Sequence, residues 1–592
     1  MATHTQNGPT PITPINEVSV PDIEKAPTND NNNMFTEEDL KDMSDEEYKQ
    51  QGVKKVEAVT NVWTKKMLIA TFIFLFLVSF VDSLLGSVQG NLVPYVTSSF
   101  ASHGLLATTG IVASILGAVW NLTIAKVIDI WGRVWGFGAM VLLLVVGMIM
   151  KATCNGVEMY AAAHTLYWVG HLGLLYIIDV IVADTTTLKN RLIIMAINYT
   201  PTISSTFAGP KIAELFYVNV NFRWAFGAFC IILLAFCIPV MVIFIMNEIK
   251  AKKFGVAPEK IQHANIWEAV KYYFVQFDVI GLSLTTFGWA LLLLPFSIAS
   301  LAPKGWESGY IIAMLVLGVV LLAAFVVWEK FFAPVPYFPF HLLMDRTILG
   351  ACLIYGIMFA SIFCWDTYYG SYLQVVHYES ITTSGYVLNS FSLMAAFVGP
   401  FVGIAIRYFG HFKWPSFVGV PFLVLGTALL IHFRHPETAV NWLVMCQLFN
   451  GIYSGIWSLT ARIAIMASVK HQDVAVALAI WSMFGGIGSS IGQTIAGAIW
   501  TNMLPQELAK RLPESAQNMT ATIYGDITVQ MSYPAGSAER DAIIGAYDYV
   551  QQKMVIAGAC FIPFCVICLF MWKNINLKEK DARSHQAKGM VF

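Results

Sequence analysis

Apolar residues in this chain come in long runs separated by short polar stretches. They show neither the alternation of a half-buried strand nor the one-sided stripe of a surface helix. About fourteen runs approach the roughly 20 residues that a bilayer-crossing helix needs. They fall near 67–89, 104–126, 134–151, 158–183, 192–215, 224–246, 278–300, 309–328, 348–370, 385–406, 415–432, 440–462, 474–501 and 553–572. The pattern predicts an all-α polytopic membrane protein with 14 transmembrane helices. The run 348–370 is the least regular, because Trp365, Asp366 and Tyr368 interrupt it.

Composition agrees. Of 592 residues, 57% are hydrophobic and 12% charged, against roughly 25% charged in a soluble domain. Too little charge remains to clothe a water-facing surface, which excludes a soluble enzyme, a coiled coil or a disordered scaffold. Lys+Arg 36 against Asp+Glu 37 excludes a nucleic-acid binder. That near-zero balance hides a segregation, since residues 1–60 hold 12 acids and 5 bases. The segment carries Pro9, Pro11, Pro14, Pro21 and Asp30-Asn31-Asn32-Asn33 without apolar periodicity. It reads as a disordered acidic tail over 1–64, not a signal peptide.

Orientation follows from the remaining 31 bases. With the N-terminus cytosolic, 22 fall inside and 9 outside, and the opposite orientation reverses that ratio. An even number of spans returns the C-terminal tail 573–592 to the cytosol. Three glycosylation sequons occur, of which Asn518-Met-Thr alone falls in a loop, the long outer loop 502–552. The nine cysteines lie almost entirely in apolar runs. Cys565-x-x-Cys568 therefore reads as packing rather than a metal or redox site.

Ala125-x-x-x-Asp129-x-x-Gly132-Arg133 ends the second run, and Gly403-x-x-x-Arg407-x-x-Gly410-His411 ends the tenth. The same spacing on the same side of the membrane indicates two related halves, with glycine allowing a tight turn and charges locking helix ends. It resembles the loop motif of the major facilitator superfamily. The second copy departs from it, with Arg407 in the acid's place. Longer stretches resemble the fungal siderophore-iron transporters of that superfamily. These are Val182-Ala-Asp184-Thr-Thr-Thr-Leu-Lys189-Asn190-Arg191, Gln276-Phe-Asp278-Val-Ile-Gly281, Pro339-Phe340-His341 through Gly350, Trp365-Asp366-x-Tyr368, and Lys54-Lys-Val-Glu57 through Trp63. Tyr533-Pro534 and Ala546-Tyr547 in the outer loop are similar too.

The resemblance implies a major facilitator fold of two six-helix bundles plus two linking helices. The expected units are 65–247, a linker with the two additional helices over 248–346, and 347–572. It also implies import of ferric siderophores, of hydroxamate type by family, coupled to protons, at a multi-pass plasma membrane location with endosomal vesicles as an alternative. Protons, the siderophore and lipid are then the partners of a monomer, and no cofactor is expected, because the iron travels as substrate.

Polar groups inside spans are costly and mark function or packing. Ser79, Asp82, Gly86 and Gln89 form one face of the first helix, with Asp82 the candidate proton carrier. His164, Tyr167 and His171 share a face of the fourth helix, suited to a proton relay or to ligand oxygens. A hexadentate siderophore leaves no iron site for these imidazoles. Asp179 and Asp184 are read as gate residues meeting the neighbourhood of Asp129 and Arg133, with Arg407 their counterpart in the second half. Arg462 reads as a snorkelling or gate residue, and Asp278 as a cap or surface charge. Gln89, Tyr199, Trp365, Tyr369, Asn450, Tyr453 and Trp457 complete the substrate-binding candidates, aromatic walls suiting a large amphiphilic ligand. Asp366 is a second proton-coupling candidate beside His171.

Neither a phosphate-binding loop nor a catalytic triad is visible, so this is not an ATP-driven pump or an enzyme. Alternatives are a proton-driven drug exporter, a ligand sensor, and a glutathione/proton exchanger of the same family. Gly209-Pro210 partly matches the exporter signature, but Lys211 departs from it.

Overall fold

The computed structural model describes residues 65–100, 103–186, 188–253, 265–299, 302–335, 338–469 and 473–578. The expected disordered tail 1–64, the stretch Lys54 to Trp63 and residues 579–592 lie outside these. The described chain is helical without β-strands, apart from an isolated bridge between His411 and Asn576.

In chain order the helices are α1 (Lys65–Ser98), α2 (Leu106–Ile130), α3 (Arg133–Thr153), α4 (Val157–Thr185), α5 (Leu188–Tyr199), α6 (Pro201–Asn219) and α7 (Phe222–Lys253). Next come α8 (Ile266–Gln276), α9 (Val279–Leu293) and α10 (Gly309–Val327). The later part comprises α11 (Arg346–Asp366), α12 (Tyr369–Val376), α13 (Ile381–Phe409), α14 (Lys413–Phe433), α15 (Val440–Ser468) and α16 (Val474–Arg511). The short α17 (Thr520–Gly525) and α18 (Ile527–Ser532) precede α19 (Ala538–Ala559) and α20 (Ile562–Phe570).

Among the described residues, twelve helical stretches are long and apolar enough to cross a membrane, against the fourteen expected. The two runs that drop out are α15 and the α5–α6 pair. On α15, Gln447, Asn450, Ser454, Thr460 and Arg462 dilute the apolar residues, all of them buried. The other run, 192–215, breaks at Thr200–Pro201, because proline cannot donate into the preceding turn. The irregular run 348–370 is one stretch, 346–376, in which a turn at Thr367–Tyr368 joins α11 to α12.

The outer loop is shorter than expected. Helix α16 continues to Arg511 and α19 starts at Ala538, leaving 512–537 rather than 502–552 between them. These extensions are one-sided, burying Leu504, Leu508, Ile543, Tyr547 and Val550, and so escape a hydropathy average.

Packing runs mainly within two groups. Helices α1 and α7, α1 and α6, α2 and α4, α3 and α4 pack in the first, and α11 with α16, α13 with α15, α14 with α15, α16 with α19 in the second. Two seams join them, α2 against α16 and α6 against α13, while α9 pairs with α10 and also rests on α2. Close approach is set by small residues. A Cβ on Gly488 of α16 would collide with the Gly356 carbonyl oxygen of α11, so the Gly488/Gly492/Ala496 stripe lies at a helix contact. Both motif glycines take the positive φ that favours glycine, Gly132 at 98° and Gly410 at 78°. Asp278 caps α9, its carboxylate accepting from Gly281 N and, at 2.9 Å, from Trp328 Nε1.

Candidate functional site

A cavity of about 320 Å3 lies between α1, α4, the α5–α6 region and α13. Asp82 of α1 and His171 of α4 share its wall with Ser79, Trp168, Asp179 and Tyr199. Asp82 is 1% exposed, and His171 Nδ1 lies 2.9 Å from its Oδ1. Hydroxyls surround the pair. Ser83 Oγ meets Ser205 Oγ at 2.7 Å and Thr202 Oγ1 at 3.2 Å, and Asn389 of α13 donates to Ser87 Oγ at 2.9 Å. The lining is apolar in area yet carries several donors and acceptors, the composition of a site that orients a ligand.

Gln89, His164 and Tyr167 lie beyond this wall. Lys151 of α3, buried at 0% exposure, reaches Gln89 Oε1 at 2.5 Å and His164 Nδ1 at 2.9 Å, with its ammonium 3.9 Å from the centre of the Tyr167 ring. The rings of Tyr160, His164, Tyr167 and His171 stack in succession along α4, at 6.0, 6.2 and 5.7 Å between centroids. Sequence reasoning missed Lys151, counting it as a charge at a membrane face. Its position inside the final turn of an apolar run was the available signal.

Two ionic clusters occupy the Arg133 end of the bundle. Arg133 donates to Asp129 at 2.8 Å, to Asp184 at 2.9 Å and to the Ile128 carbonyl at 2.9 Å. Asp184 therefore meets the motif as expected. Asp179 does not. It pairs with Arg462 of α15, at 2.9 Å, and that guanidinium also donates to Tyr199 Oη at 3.2 Å. Tyr176 of α4 donates to the Ala475 carbonyl of α16 at 2.7 Å, a second bond between the groups. Arg407 is exposed and has no salt bridge among the described residues. The second motif copy thus keeps the turn of the first without its ionic cluster.

The remaining candidates belong to the second group of helices, away from the cavity wall. Trp365 and Tyr369 flank Arg434, which is 0% exposed and stands 3.9 Å from the Tyr369 ring centre. Arg434 donates to the Trp365 carbonyl at 2.8 Å and Gln551 Oε1 at 3.1 Å, and Asp366 lies within its electrostatic reach. Asn450 packs against Gly426 of α14. Trp457 donates to the Ser416 carbonyl at 2.8 Å and stands edge-on to Tyr453. Asn450 and Trp457 lie at the α14–α15 contact. Arg434 was likewise taken for a surface base.

At the opposite end, segment 512–537 and its flanking helices form a cap. Ile527 N donates to Ser98 Oγ at 3.3 Å, Arg540 donates to the Val375 carbonyl at 2.7 Å, and Tyr547 donates to Gln530 Oε1 at 2.5 Å. Beneath it Tyr95 of α1 donates to Gln374 of α12, and Tyr368 to the Gly104 carbonyl at 3.2 Å. His377 follows α12, edge-on to Tyr372, and burial with the nearby Arg434 charge holds its imidazole down to about 4. Asn518 is exposed on the cap. Among the described residues no group of three His, Cys, Asp or Glu assembles to hold a metal, and all nine cysteines are free thiols.

A polytopic helical bundle with polar pairs facing an internal cavity is the architecture that membrane transporters share. Residues 75–493 match the Major Facilitator Superfamily. The fold is similar to that of a bacterial homologue of the human lysosomal transporter Spinster (12% identity, TM-score 0.53, covering 88% of this chain and 99% of that one). It is similar also to the peptide transporter POT in complex with sulfate (14%, TM-score 0.52, 85% and 96%). At such identities the likeness concerns fold alone. In sequence the chain is 52% identical over 544 residues to "MFS siderochrome iron transporter 1" of Ajellomyces capsulatus, covering 92% of this chain and 94% of the relative. It is 41% identical over 598 residues to "Siderophore iron transporter mirB" of Emericella nidulans, covering 100% and 98%. The chain belongs to the siderophore-iron transporter family of the major facilitator superfamily.

Proposed function

We propose that this protein imports ferric siderophores of the hydroxamate type by proton symport and alternating access. It works as a monomer in the plasma membrane, with the Arg133 end and both termini on the cytosolic side. The observation that carries the reading is the Asp82–His171 pair, 2.9 Å apart on the wall of a cavity lined by hydroxyl and amide groups. An imidazole beside a carboxylate can hold or release a proton, and doing so changes the attraction between the two helices that carry them. Binding of proton and substrate at one wall couples the two, because each alters the free energy of the other. Ser83, Thr202, Ser205 and Asn389 supply hydrogen bonds for the ligand's carbonyl and hydroxamate oxygens, and Trp168 an apolar face. Iron travels inside the ligand, so the protein needs no resident metal or cofactor.

Around this centre the Asp179–Arg462 pair closes the cytosolic end, and the cap with Tyr95–Gln374 closes the other. Alternating access requires these to break in turn. Exposure of Asn518 fits a glycosylated outer surface. The test is uptake of radiolabelled iron as hydroxamate and catecholate complexes in a fungal strain stripped of its own carriers. Hydroxamate uptake that rises on acidification and collapses with an uncoupler is expected. Absence of uptake for every siderophore, with normal surface abundance, overturns the reading.

A further inference from the structure

The ring stack on α4 carries two imidazoles, and the hydrogen bonds around them differ in kind. Gln89 of α1 turns its carbonyl oxygen to Lys151 Nζ, 2.5 Å away. Its amide nitrogen then faces His164 Nδ1 at 3.4 Å, and Lys151 Nζ itself faces the same atom at 2.9 Å. A lysine nitrogen and an amide NH2 both carry hydrogens to donate, so in this arrangement the Nδ1 they converge on is the acceptor and carries no proton. A doubly protonated imidazolium would set N–H against N–H at that distance. His171, one stack further, meets a carboxylate, which accepts a hydrogen bond from Nδ1–H in either charge state of the ring.

Lys151 faces groups from three helices, and the Cys154 thiol just beyond its own helix donates to the Lys151 carbonyl at 3.2 Å. Helix α4 contributes Tyr160, His164 and Tyr167, and α1 contributes Gln89. Helix α7 contributes the Phe226 ring, and its Arg223 binds the carbonyl of Cys154, three residues after Lys151. The titratable residues of α2, Lys126 and Asp129, lie in its last two turns, near the Arg133 end. Among the described salt bridges none involves Lys151.

We infer that Lys151 is a positioning residue which, with Gln89, holds His164 neutral and leaves His171 as the one imidazole of the stack able to carry the transported proton. This deepens the proton-symport reading and rests on it. The arrangement gives a single proton step. A transporter with two equivalent imidazoles would load in two overlapping steps and leak charge between them.

The experiment measures siderophore-iron uptake against external pH for the full-length protein, normalised to surface abundance. Lys151→Met frees His164 to titrate, so the single-step profile is expected to become two-step or to move alkaline by about one pH unit, a tenfold change in proton affinity. Lys151→Arg keeps a cation donor and is expected to keep the single step. Lys151→Met combined with His164→Asn is expected to lose the second step. A wild-type profile in Lys151→Met overturns the inference. Should that variant fail to reach the surface, His164→Asn decides. Whatever its rate, its midpoint is expected within the wild-type range, and a lost or displaced midpoint overturns the inference. Uptake by the unaltered protein that ignores pH instead overturns the symport reading, so the two failures are distinguishable.

Discussion

Arg462 of α15 and Asp179 of α4 form a buried ion pair, with Arg462 Nη1 2.9 and 3.0 Å from the two carboxylate oxygens. It bridges the two groups of helices at the Arg133 end, beside the cavity whose wall includes Asp179. Removing one partner leaves the other charge buried alone, at about 3–5 kcal/mol in the paired state.

Asp179→Ala is therefore expected to shift the population toward conformations in which α4 and α15 separate. Maleimide labelling of a cysteine introduced at Asn198, on the cavity lining, should quicken in the variant. Exchange of both charges, Asp179→Arg with Arg462→Asp, should slow it again. Unchanged labelling in the single variant would show that the pair does not hold that end closed.

Asp82→Asn keeps the shape of the side chain and removes its proton. Siderophore uptake by this variant should lose its acid stimulation, and accumulation above equilibrium should fall at least tenfold. Counterflow exchange, which needs no net proton movement, should survive better than uptake. Survival of both accumulation and its pH profile would mean that the Asp82–His171 pair does not carry the proton.

Gly488→Ala tests the α11–α16 contact. The added methyl has no room against the Gly356 carbonyl, so the helices must part, at about 1–3 kcal/mol. Thermal unfolding in detergent should occur several degrees lower, with the pH midpoint of uptake unmoved. A variant as stable as the parent would contradict the close approach.

His377 makes the cap end sensitive to acid. Its ordinary value of 6.5 drops to about 4 on folding, through burial and the Arg434 charge. The unfolded chain therefore binds the proton first, and stability falls as pH drops from 6.5 toward 4, with no loss above that window. Thermal unfolding compared at pH 7.5 and pH 5 should show the decline, and His377→Gln should flatten it. An equal decline in the variant would move the effect to another group.

Most of the helices were legible because hydropathy is an average over neighbours in sequence. The run 440–462 was legible too, and α15 extends it to Ser468 with its polar residues buried. Among candidate sites, Asp184 met Arg133 as the motif implies, whereas Asp82 and His171 were named separately and only the structure pairs them. Tyr453, Trp457 and Asn450 share a face as read, but Asn450 and Trp457 meet α14 rather than the cavity. The 3.6-residue period tells which residues share a face, and not what the face meets.

The sequence by itself determined a polytopic helical membrane protein, the order of its helices, its family and the short roster of charges that could matter inside it. Tertiary structure alone decided which of these meet. Lys151, His164 and Gln89 are separated by up to 75 positions, and Asp179 and Arg462 by 283. Such meetings depend on the depth and rotation of each helix. Those are set by close packing: the spacing of Gly488, Gly492 and Ala496 marks a packing face, but not that Gly356 is what Gly488 meets.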